Sequence, residues 1–350
     1  TMGILKHPFH KTATVCSLAL LALSCGGKGA SEGFSPAGKL AADSVAINQI
    51  IKPICATIAD GKCVIMSDDT DSVFYVYSMP DFSFMYPAMT KGEGPDEIGS
   101  AYMIKHAAGY PGFSFIDYYK NNIKTYRASA AGIRSVKQIS GDHLSDVDIT
   151  CIINDTLAVG ESFTFDGTNL GFIKLVDIRT GRTLDSARSY SVVNVLKEGN
   201  NMSINIMNVP DYESDGRTLA LCYEYTGRMD FYDISGGRLE LKKSVGDKRT
   251  VEQLRETDFW KMEKGFYYIS MTSSPDCIMV LRTEFETTPL PRYKYTTLSS
   301  SLLTYDWNGV PQKEYKLDKT VNNALFDPHS GKLFCFNDEL DFEQVYVYGL

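Results

Sequence analysis

One piece of chain recurs, and it restricts the fold more than any other feature. It is plainest over residues 172–187, where the alternating run FIKLVDI meets the turn Arg179-Thr180-Gly181-Arg182 and leaves through TLDSA. Apolar alternation, a glycine turn and a second alternating run make a β-hairpin. The piece returns at 73–86, 123–139, 229–244 and 302–317, and a last copy, EQVYVYGL, has only its first strand. Reading backwards from each copy finds a second hairpin: 54–66 around Asp60-Gly61, then 102–116, 147–159, 204–223, 266–283 and 323–336. In the fourth of these the strands are expected over 204–209 and 218–223, with 210–216 as a long turn. All-β repeats with a period of roughly 40 to 50 residues are propeller blades. The expected fold is therefore all-β: a six-bladed β-propeller of four-stranded antiparallel blades spanning 44–350. The last copy lacks a fourth strand, and the unassigned apolar stretch SVAINQII at 44–51 is expected to supply it and close the ring, which would leave no exposed sheet edge.

The chain has 350 residues, of which 43% are hydrophobic and 22% charged, enough to bury a large core. Its formal charge of -8 argues against nucleic acid as a partner, because phosphate binders concentrate Lys and Arg. At the start, Lys6 and Lys11 precede an apolar run, 13–23, that is too short to span a bilayer as a stable helix, and Ser24-Cys25-Gly26-Gly27 follows. This segment resembles a bacterial lipoprotein signal, although Ala22 stands where that pattern more often has Leu. The resemblance implies a signal peptide over 1–24, lipidation of Cys25, a flexible tether over 25–43, and membrane contact through the anchor only. Gly26-Gly27-Lys28-Gly29 lacks the acidic stretch that often follows the lipidated Cys of surface-exported lipoproteins, so the expected address is the outer membrane, periplasmic side. Six further cysteines lie in apolar strands with no C-x-x-C spacing, where Cys behaves as a small hydrophobe.

Each second strand ends on a carboxylate or amide: Asp68, Asp117, Glu161, Glu224, Glu284 and Asn337. Such side chains commonly accept from the amides of their own turn. The segment Lys91-Gly92-Glu93-Gly94-Pro95-Asp96-Glu97-Ile98 resembles the G-x-G-P-x-E-[FI] signature of TolB-like six-bladed propeller lipoproteins of Gram-negative envelopes. Phe115-Ile116-Asp117-Tyr118-Tyr119-Lys120-Asn121-Asn122-Ile123 is similar to an NHL-type repeat. The resemblance implies a six-bladed ring and no particular reaction.

Candidate ligand contacts fall on loops. Glu93, Asp96 and Glu97 could hold a hard cation, so calcium is the metal they would take, although loop carboxylates are usually only solvated and no cofactor is required. The acidic loop 142–148 matches no metal-binding template, and His106 and His329 are read as ordinary surface residues beside turns. Two insertions stand out: 246–259, with a short helical turn at 251–255, and a long loop, 284–300, where Arg292, Tyr293 and Tyr295 combine a guanidinium with rigid rings suited to binding. No nucleophile elbow, zinc-protease motif or P-loop is present in the sequence. The functional expectation is a lipid-anchored, non-catalytic binding or interaction module for a protein, glycan or small-molecule ligand. The alternatives are a calcium-assisted hydrolase or lyase at the channel mouth, and a structural subunit of an envelope complex.

Overall fold

The computed structural model describes residues 33–350, apart from 50, 68–69, 95–96, 142–146, 199–200, 258, 260–261, 263, 289–293 and 339–341. The expected signal peptide with Cys25, and also Asp68, Asp96, Arg292 and Tyr293, lie outside the described residues.

Strands β1 (Ser35–Leu40) and β2 (Asp43–Ala46) lead into a series of antiparallel sheets. The first contains β3 (Pro53–Ala59), β4 (Lys62–Ser67), β5 (Ser72–Ser78) and β6 (Phe84–Thr90), in that order. Next come β7 (Ala101–His106), β8 (Phe113–Asp117), β9 (Asn122–Ser129) and β10 (Gly132–Ser140), then β11 (Asp148–Ile152), β12 (Leu157–Phe163), β13 (Gly171–Asp177) and β14 (Arg182–Arg188). A short parallel pairing, Cys151 beside Lys105 and Ile152 beside His106, joins β11 to β7. A separate hairpin, β15 (Val192–Glu198) with β16 (Asn201–Met207), precedes the sheet β17 (Pro210–Ser214), β18 (Thr218–Tyr223), β19 (Met229–Asp233) and β20 (Glu240–Val245). After helix α1 (Val251–Arg255) follow β21 (Lys264–Ser273), β22 (Ile278–Thr288), β23 (Lys294–Tyr305) and β24 (Pro311–Leu317). The chain ends with β25 (Asn323–Asp327), β26 (Lys332–Phe336) and β27 (Gln344–Gly349), and β2 pairs antiparallel with β27, Val45 opposite Val345. The architecture is a β-propeller of four-stranded antiparallel blades.

The second strand of a blade reads as an almost unbroken apolar run because both of its faces are covered. In β4, Cys63 and Ile65 point into one inter-sheet cluster with Phe334 and Val345, while Val64 and Met66 point into another with Met103 and Phe115. β18 does the same, with Leu219, Leu221 and Tyr223 on one side and Ala220 and Cys222 on the other. The period of two is intact, but both phases are hydrophobic. Each Val, Ile, Leu or Met among them contributes about 1.5–3 kcal/mol on burial. At the first hairpin Asp60 and Gly61 both have positive φ, 53° and 67°, the twist a two-residue turn requires. The Asp60 carboxylate also accepts from the Ala128 amide at 3.0 Å and from Arg127 Nε at 2.7 Å, which ties the first sheet to the second.

Three expectations need correction. The fourth inner strand is Pro210–Ser214, the segment expected to be a turn, and 204–207 belongs to the extra hairpin β15–β16. Pro210 is tolerated because it is the first residue of its strand. The long loop at 284–300 is mostly a continuation of β22 and β23, paired from Glu284 opposite Ser299 to Thr288 opposite Lys294. Within the expected tether, Ser35–Leu40 is a strand lying parallel to β24. It covers what would be an open sheet edge, and Phe34 packs edge-on against Tyr305 at 5.0 Å. The helical turn at 251–255 is present as expected. Thr250 and Gln253 form a reciprocal capping box, and Leu254 is buried with Phe259 against Val192 and Met207.

Candidate functional site

The inner strands β3, β7, β17, β21 and β25 surround a cavity of about 560 Å³, which Thr150 of β11 also lines. At one end lie the turns after β7 and β21, with Pro328 after β25. Concave sites of a few hundred Å³ are the usual size for small-molecule ligands.

Its centre is a charged cluster built by alternation. On β17, Tyr212 points into the apolar interior, so its neighbours Asp211 and Glu213 point the other way. Lys105 of β7 reaches across to them. Its Nζ donates to Asp211 Oδ2 at 2.8 Å, to Glu213 Oε1 at 3.3 Å and to the Met271 carbonyl at 2.8 Å. An ammonium has three hydrogens, and all three are used. Asp211 Oδ2 also accepts from the Met271 amide at 2.7 Å, and Glu213 Oε2 accepts from Ser273 Oγ at 2.6 Å. Burial disfavours the charge on Lys105, but the two carboxylates outweigh it and hold its pKa above the ordinary value. Burial also raises the pKa of Glu213, against the pull of Lys105. The cluster therefore fastens β7, β17 and β21 together, and its acids are occupied.

Other groups on the wall are only partly satisfied. Glu161, within β12, is 8% exposed, and its Oε1 has no hydrogen-bond partner. Desolvation pushes its carboxyl up to about 7, partly offset by the Tyr212 and Ser191 hydroxyls and reinforced by the charge of Asp148. Opposite it in register is Asp148, whose pKa burial also raises. Tyr102 stands in the channel with 53% of its surface open, near enough to Asp211 and Tyr118 to feel their charges, and its hydroxyl is pushed up to about 12, chiefly by burial. Tyr118, 50% exposed, in turn feels Asp148. At the opposite end, His106 Nε2 lies 2.8 Å from Ser114 Oγ while Nδ1 has no partner, and burial pushes its pKa down to about 4. His106 is thus a mostly buried, neutral wall residue, not the surface histidine expected from the sequence.

The expected site residues are distributed differently. Glu97 folds over its own loop: its Oε2 accepts from the Gly94 amide at 2.8 Å, and a Cβ on Gly92 would lie 2.1 Å from that oxygen. Lys120 Nζ closes the same loop on the carbonyls of Gly94, at 2.6 Å, and Glu97, at 2.5 Å. Glu93 is exposed. Tyr295 lies in β23, its backbone opposite Thr287. Neither Glu93 nor Glu97 is among the residues that line the cavity. Of the strand-end acids, Asp117 accepts from the amides of Tyr119 and Lys120 as expected, and Glu284 accepts from Ser299 Oγ. Glu161 makes no such turn bond among the described residues. Cys55, Cys63, Cys151, Cys222, Cys277 and Cys335 are free thiols. Among the described residues no group of three His, Cys, Asp or Glu is arranged to hold a metal ion.

No protein-family model matches the sequence, and comparison with curated proteins finds no match. Among solved structures, the chain is similar to a "Putative exported protein" of Bacteroides fragilis, with a TM-score of 0.51 and 10% identity over 88% of this chain and 94% of that one. It also superposes on the WD40 repeats of RRP9 with a TM-score of 0.46 and 10% identity, covering 88% and 97% of the two chains. At such identities the first likeness is one of fold, and the second carries no argument.

Proposed function

We propose that this chain is a lipid-anchored envelope protein whose six-bladed propeller acts as a non-catalytic binding module, holding a small ligand in its channel. The observation that carries the reading is the cavity of about 560 Å³ whose paired acids, Asp211 and Glu213, are both engaged by Lys105. Carboxylates held in this way are poorly placed to serve as general acid, nucleophile or calcium ligand, because each role would first require expelling the ammonium. Six blades are supported by inner strands that touch in the order β3, β7, β11, β17, β21, β25 and back to β3. Closure by β2 is supported by its pairing with β27 and by the cluster in which Ile47, Cys63, Tyr77, Phe334 and Val345 pack together. The lipid on Cys25, the periplasmic face of the outer membrane and a TolB-like kinship rest on the sequence resemblances. The exported character named for the Bacteroides fragilis neighbour agrees with that address. Arg292, Tyr293 and Tyr295, singled out on the sequence alone, are a proposed second contact for a protein or glycan partner.

A thermal-shift screen of sugars, amines, dicarboxylates and dipeptides tests the reading. At least one class should raise the melting temperature of the native chain and fail to raise that of Thr57→Trp, which adds bulk to the cavity wall from β3. If no class stabilises the native chain, or the filled variant responds equally, the channel is not a binding site.

A further inference from the structure

The channel reading leaves the ligand's chemistry open, and the inference here rests on that reading. Among the described residues the cavity lining contains one cation, Lys105, already donating all three hydrogens to protein acceptors. It contains three carboxylates, Asp211, Glu213 and Glu161. Lys105 cancels one of the first two, so the wall is negative overall, and an anionic ligand would find no cation free to receive it. Glu161 is the group with unused capacity: more than nine-tenths buried, on the cavity wall, with Oε1 unpartnered. A buried acceptor left without a donor is costly, and a ligand that supplies one recovers that cost. Asp148 stands opposite it in register, Tyr118 lies near Asp148 and Tyr102, and Tyr102 lines the cavity, the two rings being about half exposed. Exposed tyrosine faces beside carboxylates attract ammonium groups through the ring quadrupole as well as through charge.

We propose that the channel beside β7, β11 and β17 binds a small organic amine, its ammonium pairing with the Glu161 carboxylate and its carbon chain lying against Tyr102 and Tyr118. The desolvated state of Glu161 agrees with this, since its carboxyl is held near pH 7 and an arriving cation would favour the charged form.

Calorimetric titration of the full chain with 1,4-diaminobutane, succinate and glucose tests the proposal. Diaminobutane should bind at least about tenfold more tightly than either control, and Glu161→Gln, which keeps the shape and removes the charge, should weaken it by about tenfold or more. Tyr102→Leu, at an exposed site where folding is not at risk, should weaken it about two- to fivefold. Unchanged affinity in Glu161→Gln overturns the assignment. Binding of glucose or succinate without diaminobutane overturns it while leaving the channel as a binding site. If none of the probes binds up to about 10 mM, the amine assignment falls. Should Thr57→Trp also melt like the native chain with every class of the wider screen, the channel reading falls with it.

Discussion

Asp211 and Glu213 on one wall of the cavity and Glu161 on another share a compartment but stand in opposite conditions. The first two are matched by an ammonium, a backbone amide and a hydroxyl, at 2.6–3.3 Å. Glu161 has the Tyr212 and Ser191 hydroxyls beside it and, among the described residues, no cation, and Oε1 is without a partner. Desolvation costs both walls, but only the first recovers the cost within the protein. Completed networks hold strands in place, whereas an incomplete one is a place where something else can bind. The contrast separates a strut from a candidate site more sharply than the mere presence of acids in a channel.

Breaking the strut should have the largest effect. Lys105→Met leaves Asp211 and Glu213 facing each other without their shared cation. Removing one partner of a buried network costs about 3–5 kcal/mol, and because Lys105 keeps 35% of its side chain open the expectation here is about 2–4 kcal/mol. Urea denaturation at pH 7 measures it, and adding Asp211→Asn to Lys105→Met should recover part of the loss. A Lys105→Met midpoint equal to that of the native chain would mean that the cluster fastens nothing.

Glu161 should behave in the opposite sense. Its folded pKa, about 7, lies above the ordinary 4.5, so between those values the folded state holds a proton that the unfolded state has lost. Stability from this group is full below about pH 4.5, falls as pH rises through the window, and levels off above about 7, a total of about 3 kcal/mol. Glu161→Gln should therefore be more stable than the native chain by about 2–3 kcal/mol at pH 8 and equal to it near pH 4.5. Glu224, likewise raised by burial, slopes the same way, and His106, pushed down by burial, slopes the other way. Both are present in native chain and variant, so the difference between their melting curves isolates Glu161. A pH-independent difference would remove the ground for treating this acid as unsatisfied.

The sequence announces the strut poorly and the blades well. Apolar runs such as KCVIMS and TLALCY are conspicuous because both faces of the middle strands are covered. An inner strand faces water in the channel on one side, so Pro210-Asp211-Tyr212-Glu213-Ser214 shows polar residues at alternate positions and opens on a proline, which is also how a turn looks. The stronger apolar run just before it, Ile204 to Met207, reads as the strand but belongs to an added hairpin. The signal that could have found the site is the alternation itself, a single buried aromatic between two acids. Glu161 was visible as one of a register of strand-end carboxylates. Its lack of a turn partner depends on how neighbouring blades pack, which no local pattern encodes. In the loop 91–98 the two glycines were legible as structural, while Glu97 looked like a ligand contact because its closure onto the Gly94 amide needs a backbone shape that the sequence does not display.

The smallest effect tests whether the ammonium or the hydroxyl completes the satisfied wall. Ser273 Oγ donates to Glu213 Oε2 at 2.6 Å, on the oxygen that Lys105 does not reach. Ser273→Ala removes that donor beside an open cavity, where a water molecule can take its place at modest entropic cost, so the loss should be about 1 kcal/mol. Water cannot replace the charge that Lys105 brings, which is why its removal should cost more. With Lys105→Met already made, Glu213 is favoured in its protonated form and needs the serine less. A double-mutant cycle should thus show the two losses adding to less than their sum, by about 0.5 kcal/mol or more. If Ser273→Ala alone cost as much as Lys105→Met, a hydroxyl would be sufficient to satisfy a channel acid. Glu161, which has the Tyr212 hydroxyl beside it, would then no longer differ in kind from Glu213.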